Sequence, residues 1–191
     1  MRDKDLEKYC EQAISKGATH AKQIHPSSVV TAAWVRLKCQ FGCPRYNHCH
    51  CCPPHSPTPK QTREVLDCYS RAILFHLESP TAQDWMKCRE EYLGMLTDLE
   101  GEMFKDGYYK AFVFLEGPCL ICKDSSGKLK ALPDNCSLLK GELCKFGYRA
   151  RPSMEGCGID VYQTARNNGF SIEPLREKTE SPNNFCLMLV D

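Results

Sequence analysis

Nine of the fourteen cysteines in this 191-residue chain fall in two short stretches whose spacing suits metal ligation. The second stretch has the sharper pattern. It reads Gly117-Pro118-Cys119-Leu120-Ile121-Cys122, then Cys136 after thirteen residues and Cys144 after seven more. A Cys-x2-Cys pair lets two thiolates reach one centre from a tight turn, and two further thiolates complete four ligands. A structural zinc site commonly adds a second such knuckle, which the spacing of Cys136 and Cys144 does not form. A [4Fe–4S] cluster is wider and gathers its ligands from a longer loop. The pattern points to iron–sulfur with zinc as the alternative, and spacing alone does not decide between them.

The first stretch is Cys39-x3-Cys43-Pro44 followed by Cys49-x-Cys51-Cys52-Pro53-Pro54. Proline after a ligating cysteine is familiar from iron–sulfur loops; it also fixes φ and removes a donor. Five thiols lie within fourteen residues, so the choice of metal ligands among Cys39, Cys43, Cys49, Cys51 and Cys52 stays open. The Cys-x3-Cys opening is shared with radical enzymes that cleave S-adenosylmethionine. Those continue with x2 to a third cysteine, whereas five residues separate Cys43 from Cys49, which argues against that chemistry. His48, His50 and His55 could ligate zinc or iron; they are read here as solvated loop residues.

Cys10, Cys68, Cys88 and Cys186 fall inside expected helices and strands and read as small core residues. Cys157 stands near the start of the last expected helix, where backbone N–H groups favour a thiolate. Arg149-Ala150-Arg151-Pro152-Ser153 leads into that helix with an anion-binding arrangement. The plainer reading is an ordinary helix start with Arg151 paired to Glu155 or to the metal centre.

The charge pattern suits an anionic centre. Arg36 to Arg63 holds five basic and no acidic residues, and Cys119 to Arg151 holds seven basic and three acidic ones. The whole chain carries only +1, so everything outside these stretches is net −8. Bound thiolates are negative, and nearby Lys and Arg stabilise them. Solvation of the loops or docking of an acidic partner would use the same charges.

The elements that must position these residues follow from periodicity. Helical spacing spans Asp3 to Lys16, ended by Gly17. Ser28 to Leu37, rich in Val, Thr and Trp, reads as a strand. Lys38 to Pro59, with its five cysteines, three histidines and run of prolines, reads as the first cysteine-rich loop (38–59). A helix then runs from Thr58 or Pro59 to about Tyr69, and Arg71 to Leu77 is a buried strand. Thr81 to Lys105 is the longest helix, with Trp85, Cys88, Tyr92, Leu96, Leu99 and Met103 along one seam. Tyr108 to Leu115 is a third strand, and 117–151 is the second cysteine-rich loop. Ser153 caps a helix to about Asn168, and Phe185 to Val190 is the last strand after a turn at Ser181-Pro182-Asn183-Asn184. The result is a single domain (1–191) of α/β or α+β class. It has one mixed sheet of four to five strands, helices packed on it and two irregular metal loops at strand ends.

No apolar run approaches a membrane span, and Met1-Arg2-Asp3-Lys4-Asp5 leads into no apolar segment, so no secretion signal or membrane association is expected. With that, so many cysteines imply a reducing, cytoplasmic setting and metal-bound thiols in preference to disulfides. The near-zero net charge and the few loop aromatics (Phe41, Tyr46, Phe146, Tyr148) argue against nucleic acid.

Cys39-x3-Cys43-Pro44, Cys52-Pro53-Pro54, Gly117-Pro118-Cys119-x2-Cys122, Cys136, Cys144, Arg151-Pro152-Ser153-Met154-Glu155 and Gly158-Ile159-Asp160-Val161 together resemble a family of predicted metal-binding proteins of anaerobic bacteria and archaea. The resemblance spans about Val35 to Thr164. It implies one site on Cys39, Cys43 and Cys52, another on Cys119, Cys122, Cys136 and Cys144, and an anaerobic cytoplasm. The expectation is one or two [4Fe–4S] clusters used in electron transfer or as redox accessory to a partner enzyme. The alternatives are an iron–sulfur enzyme with an open-site cluster, in sulfur or one-carbon metabolism, and a zinc-stapled binding module. The sequence names no small-molecule substrate.

Overall fold

Two near-continuous apolar runs make the centre of the molecule. They form strands β2 (Ala72–Glu78) and β4 (Asn183–Leu189), which pair antiparallel from Ala72↔Leu189 to Glu78↔Asn183. The computed structural model describes residues 3–79, 82–122, 136–177 and 180–191. Edge strands β1 (His20–Ile24) and β3 (Phe112–Phe114) complete an open sheet in the order β1-β2-β4-β3. The fold is α+β, and all three ladders are antiparallel.

Side chains alternate across a strand, so a strand that is apolar at every position needs cover on both faces. Ile73, Phe75, Cys186 and Met188 face a core closed by helix α1 (Asp3–Ser15) and the long helix Ala82–Lys105; Leu6, Tyr9, Leu96, Leu99 and Met103 fill it. Leu74, Phe185, Leu187 and Leu189 face a second core with Leu66, Met154, Cys157 and Ile159. That side is built from α2 (Val35–Gly42), α3 (Pro59–Leu66), α5 (Val161–Asn167) and the turn at Glu155–Cys157, while α4 spans Ala82–Lys105 on the first side. Among the described residues, no helix is long and apolar enough to cross a membrane.

Several expected elements are corrected. Ser28 to Leu37 is not a strand: Pro26–Ser28 is a 3-10 turn, Thr31 makes one isolated bridge to Ile159, and α2 begins at Val35. The strand that precedes it, β1, has no strong signal, because an edge strand alternating between exposed and half-buried positions needs few apolar residues. Cys39 lies within α2, so the first loop is regular at its start. The third strand is only Phe112–Phe114, since Tyr108 to Ala111 turns on itself through an Ala111 N–H to Tyr108 carbonyl bond of 2.9 Å. Ser153 does not start a long helix: a single 3-10 turn with Met154 as its N-cap follows, and Ser153 Oγ accepts from Gly156 N at 3.0 Å. Gly158, with φ +77°, ends that turn, and α5 has its own cap in Asp160, whose carboxylate accepts from Gln163 N at 3.0 Å. The long helix lies where expected, and its anticipated start at Thr81 lies outside the described residues.

Candidate metal centre

The segment Pro152 to Asp160 is the brace on which both cysteine stretches rest. It bonds to the end of β3 through Leu115 N to Pro152 O (2.9 Å) and Met154 N to Leu115 O (2.8 Å). It holds the first loop through Ser56 Oγ to Gly156 O (2.7 Å), and α3 through Thr62 Oγ1 to Cys157 O (2.7 Å). Ala32 N to Gly158 O and Asp160 N to Val30 O, both 2.8 Å, tie in the approach to α2. Helix α3 starts on a full capping box at Thr58 and Gln61 with Pro59 at its first turn, which fixes where the first loop ends.

The two cysteine stretches meet. Cys49, Cys51, Cys119, Cys122, Cys136 and Cys144 line one small cavity with His50, Ile121, Phe146 and Ala150. Cys52 packs with Cys49 and Cys136 in the same thiol cluster. Cys39 and Cys43 lie outside that cavity, joined to each other at the end of α2 by a Cys43 N to Cys39 O bond of 3.3 Å. Cys49 and Cys51 belong with the second stretch as much as with the first. The segment between Cys122 and Cys136, with Lys123, Asp124, Lys128, Lys130 and Asp134 of the charge pattern, lies outside the described residues.

Two buried arginines organise the centre. Arg45, 4% exposed, donates from Nη1 to the Cys119 carbonyl at 3.2 Å. Arg89 of α4, also 4% exposed, pairs with the Glu116 carboxylate and donates to the carbonyls of Glu116 (2.8 Å) and Pro118 (3.1 Å). Between them they grip the loop on which Cys119 sits. Gly117, at φ +56°, lets Arg89 pass; a Cβ there would lie 2.6 Å from Arg89 Nη2.

These positive groups and the thiols act on one another. A hydrogen bond from Cys51 holds the Cys119 thiol down to about 6, against burial and with help from the Ile121 backbone, Arg45 and Arg89. Cys51, as donor, is pushed far up. Cys49 and Cys52 share a hydrogen bond with sulfurs 2.9 Å apart, which lowers Cys49 and raises Cys52. Burial pushes Cys122 up to about 11 and raises Cys39.

The donor chemistry fits a soft metal: clustered thiols, with the proton affinities of Cys119 and Cys49 lowered, beside buried guanidinium groups. The spacing is that of thiols hydrogen-bonded to each other. Two sulfurs on one tetrahedral zinc stand about 3.8 Å apart for bonds of about 2.3 Å, more than the 2.9 Å between Cys49 and Cys52. The space between the thiols takes about one water-sized sphere. Among the described residues, no group of three or more His, Cys, Asp or Glu side chains is arranged to hold an ion.

Other candidates resolve differently. Cys10 and Cys186 are core residues and Cys88 is half-buried, but Cys68 is exposed just beyond α3, its thiol donating to the Glu64 carbonyl at 3.3 Å. Cys157 is fully buried, and burial pushes its thiol up to about 12, so a thiolate at a helix start does not describe it. Arg151 pairs with Glu100 (2.6 Å), not with Glu155, and Arg149 pairs with Asp98 (3.0 Å). His48, His50 and His55 donate to the Tyr46 carbonyl, the Glu142 carbonyl and Asn47 Oδ1 at 2.6, 2.9 and 2.9 Å. The bond from His50 joins the two loops. Arg45 stands among the other basic residues of the first stretch and Arg89 in the charged run Lys87-Cys88-Arg89-Glu90-Glu91, so neither carries a sequence signal of burial.

Fold and site define an α+β protein with a thiol centre shared between two loops and braced by buried arginines. The chain belongs to the family described as predicted metal-binding protein (DUF2284), whose model matches residues 22–190. No curated protein and no solved structure matches it.

Proposed function

We propose that this chain is an iron–sulfur protein of a reducing, oxygen-poor cytoplasm, acting in electron transfer or as redox accessory to a partner enzyme. Cys119, Cys122, Cys136 and Cys144 hold one [4Fe–4S] cluster, and Cys39, Cys43 and Cys52 serve a second centre. The observation that carries this reading is the convergence of six thiols on one cavity beside buried Arg45. A bound cluster supplies a one-electron couple. The chain's own part is to keep Cys119 anionic through Cys51 and Arg45, and to hold its loop against α4 through Arg89. The thiols separate from their mutual hydrogen bonds when they ligate.

The small space between the thiols favours a second reading, a single zinc ion in a binding module. A third reading rests on a cavity of ≈ 630 Å³ lined by Val35, Lys38, Glu155 and Phe185, next to Cys39. That size suits a small-molecule substrate at an open-site cluster.

Serine variants separate the readings. For the leading one, Cys119→Ser and Cys144→Ser each abolish most of a broad absorption near about 400 nm in anaerobically prepared protein, whereas Cys68→Ser leaves it intact. If Cys49→Ser or Cys51→Ser also removes the second centre, that centre has four protein ligands and the open-site enzyme is excluded. Colourless wild-type protein holding zinc overturns both iron–sulfur readings.

A further inference from the structure

The cavity of ≈ 630 Å³ opens where the start of α2, the brace, α5 and the start of β4 meet. Buried Val35, Ile159, Ile172 and Phe185 give it an apolar wall, and half-exposed Trp34 stands at its edge. Strand β3 pairs only with Leu187–Leu189, so among the described residues no strand covers Asn183 to Phe185 on that side. Those three residues line the cavity. A concave, mostly apolar space of this size with a few convergent polar groups is the usual form of a small-molecule site.

Most charged groups of the lining are already engaged. Glu116 pairs with Arg89, Arg166 pairs with Glu173 at 2.9 Å, and Asp160 caps α5. Lys38 is exposed to solvent. Glu155 differs from all of these. The Gly117 N–H, at 3.4 Å, and the Ser153 hydroxyl donate to its carboxylate, which favours the charged form. It nevertheless has no ion-pair partner among the described residues, and burial beside Glu116 raises its proton affinity to about 7. What this carboxylate lacks is a counter-charge. A metal ion does not supply it: among the described residues, no three acidic, histidine or cysteine side chains are arranged to hold one. The size and apolar wall of the cavity suit an organic cation. Asn184 Nδ2 makes a second demand, since it is buried with no acceptor and a buried donor calls for one.

We propose that this cavity binds a small organic amine that also carries a carbonyl oxygen and an apolar body. The ammonium group rests on Glu155, the oxygen accepts from Asn184, and the apolar part lies against Ile159, Ile172 and Phe185. This rests on the reading of the cavity as a small-molecule site and deepens it by naming the chemistry of the molecule. Binding there does not depend on which metal the thiols hold.

The test uses the full wild-type chain, purified anaerobically, and ligand-observed NMR titration with a matched set of probes. Phenylalaninamide carries the amine, the carbonyl and the apolar ring. Phenethylamine lacks the carbonyl, 3-phenylpropionamide lacks the amine, and 3-phenylpropionate replaces the cation with an anion. The expected order puts phenylalaninamide first, with loss of the amine weakening binding about tenfold or more. Glu155→Gln weakens phenylalaninamide by a similar factor and leaves 3-phenylpropionamide within about twofold of its wild-type affinity. Ile172→Trp, which fills the cavity, removes binding of every probe. Circular dichroism and metal content of both variants are compared with the wild type, and the probe series on the wild type stands even where a variant does not fold. Equal or tighter binding of 3-phenylpropionamide or 3-phenylpropionate overturns the amine and leaves the cavity as a small-molecule site. No binding of any probe, or binding indifferent to a folded Ile172→Trp variant, overturns both. The expected order seen in protein that holds zinc and no iron keeps this inference and removes the iron–sulfur enzyme.

Discussion

His76 shows how a single buried group sets a pH limit. It is 5% exposed in β2, stacks on Phe185 at 4.7 Å, lies 3.1 Å between Nδ1 atoms from His20, and donates from Nε2 to Asn183 Oδ1 at 2.7 Å. Burial pulls its proton affinity below the ordinary value of 6.5. A depressed folded value means stability that is present above the unfolded value and lost as pH falls through the folded one. Thermal unfolding is therefore expected to shift downward below about pH 6.5, and the shift should shrink in His76→Phe. A wild-type midpoint flat between pH 7 and 5 would contradict this. At the centre itself, Arg45→Met removes the cation beside Cys119 without changing a ligand. The expected outcome is a protein that folds but binds metal at least about tenfold more weakly, read by competition with a chelator. Undiminished affinity would show that Arg45 serves only packing.

At the scale of elements, the turn at Glu155–Cys157 matters more than its three residues suggest. A Cβ on Gly158 would stand 2.3 Å from Pro59 Cγ and 3.2 Å from Pro59 Cα, at a φ of +77° that side chains resist. Gly158→Ala must push α3 off the brace and is expected to cost about 2 kcal/mol or more, measured by urea unfolding; a cost below about 0.5 kcal/mol would refute the packing account. Arg89 and Glu116 make a second element-scale test. Their side chains are 4% and 13% exposed, and burial raises Glu116 even beside its partner. Arg89→Met alone strands a buried carboxylate and should cost about 3–5 kcal/mol, whereas Arg89→Met with Glu116→Leu should recover most of that. Equal losses in both would mean that the carbonyl contacts of Arg89, and not the ion pair, hold the loop.

Legibility in the sequence followed signal strength. The long helix, the central strands and the sheet-with-helices class were readable because their burial imposes a pattern: a seam in α4, unbroken apolar runs in β2 and β4. Edge strand β1 and helix α2 were not. His20-Ala21-Lys22-Gln23-Ile24 buries one residue fully, and α2 leaves its largest apolar residues exposed, so neither shows the period of its type. The cysteine stretches were plain, but their meeting was not: it depends on a turn some hundred residues from the first loop and on buried Arg45 and Arg89.

For the whole molecule, the thiol cluster ties together two loops separated in sequence by α3, β2, α4 and β3, so metal and folding should be coupled. Thermal unfolding of the loaded protein is expected well above that of protein stripped by chelator, with the two cysteine stretches the first to become accessible to alkylation on stripping. Identical unfolding curves would make the metal incidental to the fold. The most direct measurement is the content of iron, acid-labile sulfide and zinc in anaerobically purified wild-type protein. The account predicts iron and sulfide in near-equal amounts, about four of each per chain for one cluster and about eight for two. Protein that contains zinc or no metal, with no sulfide, would contradict it.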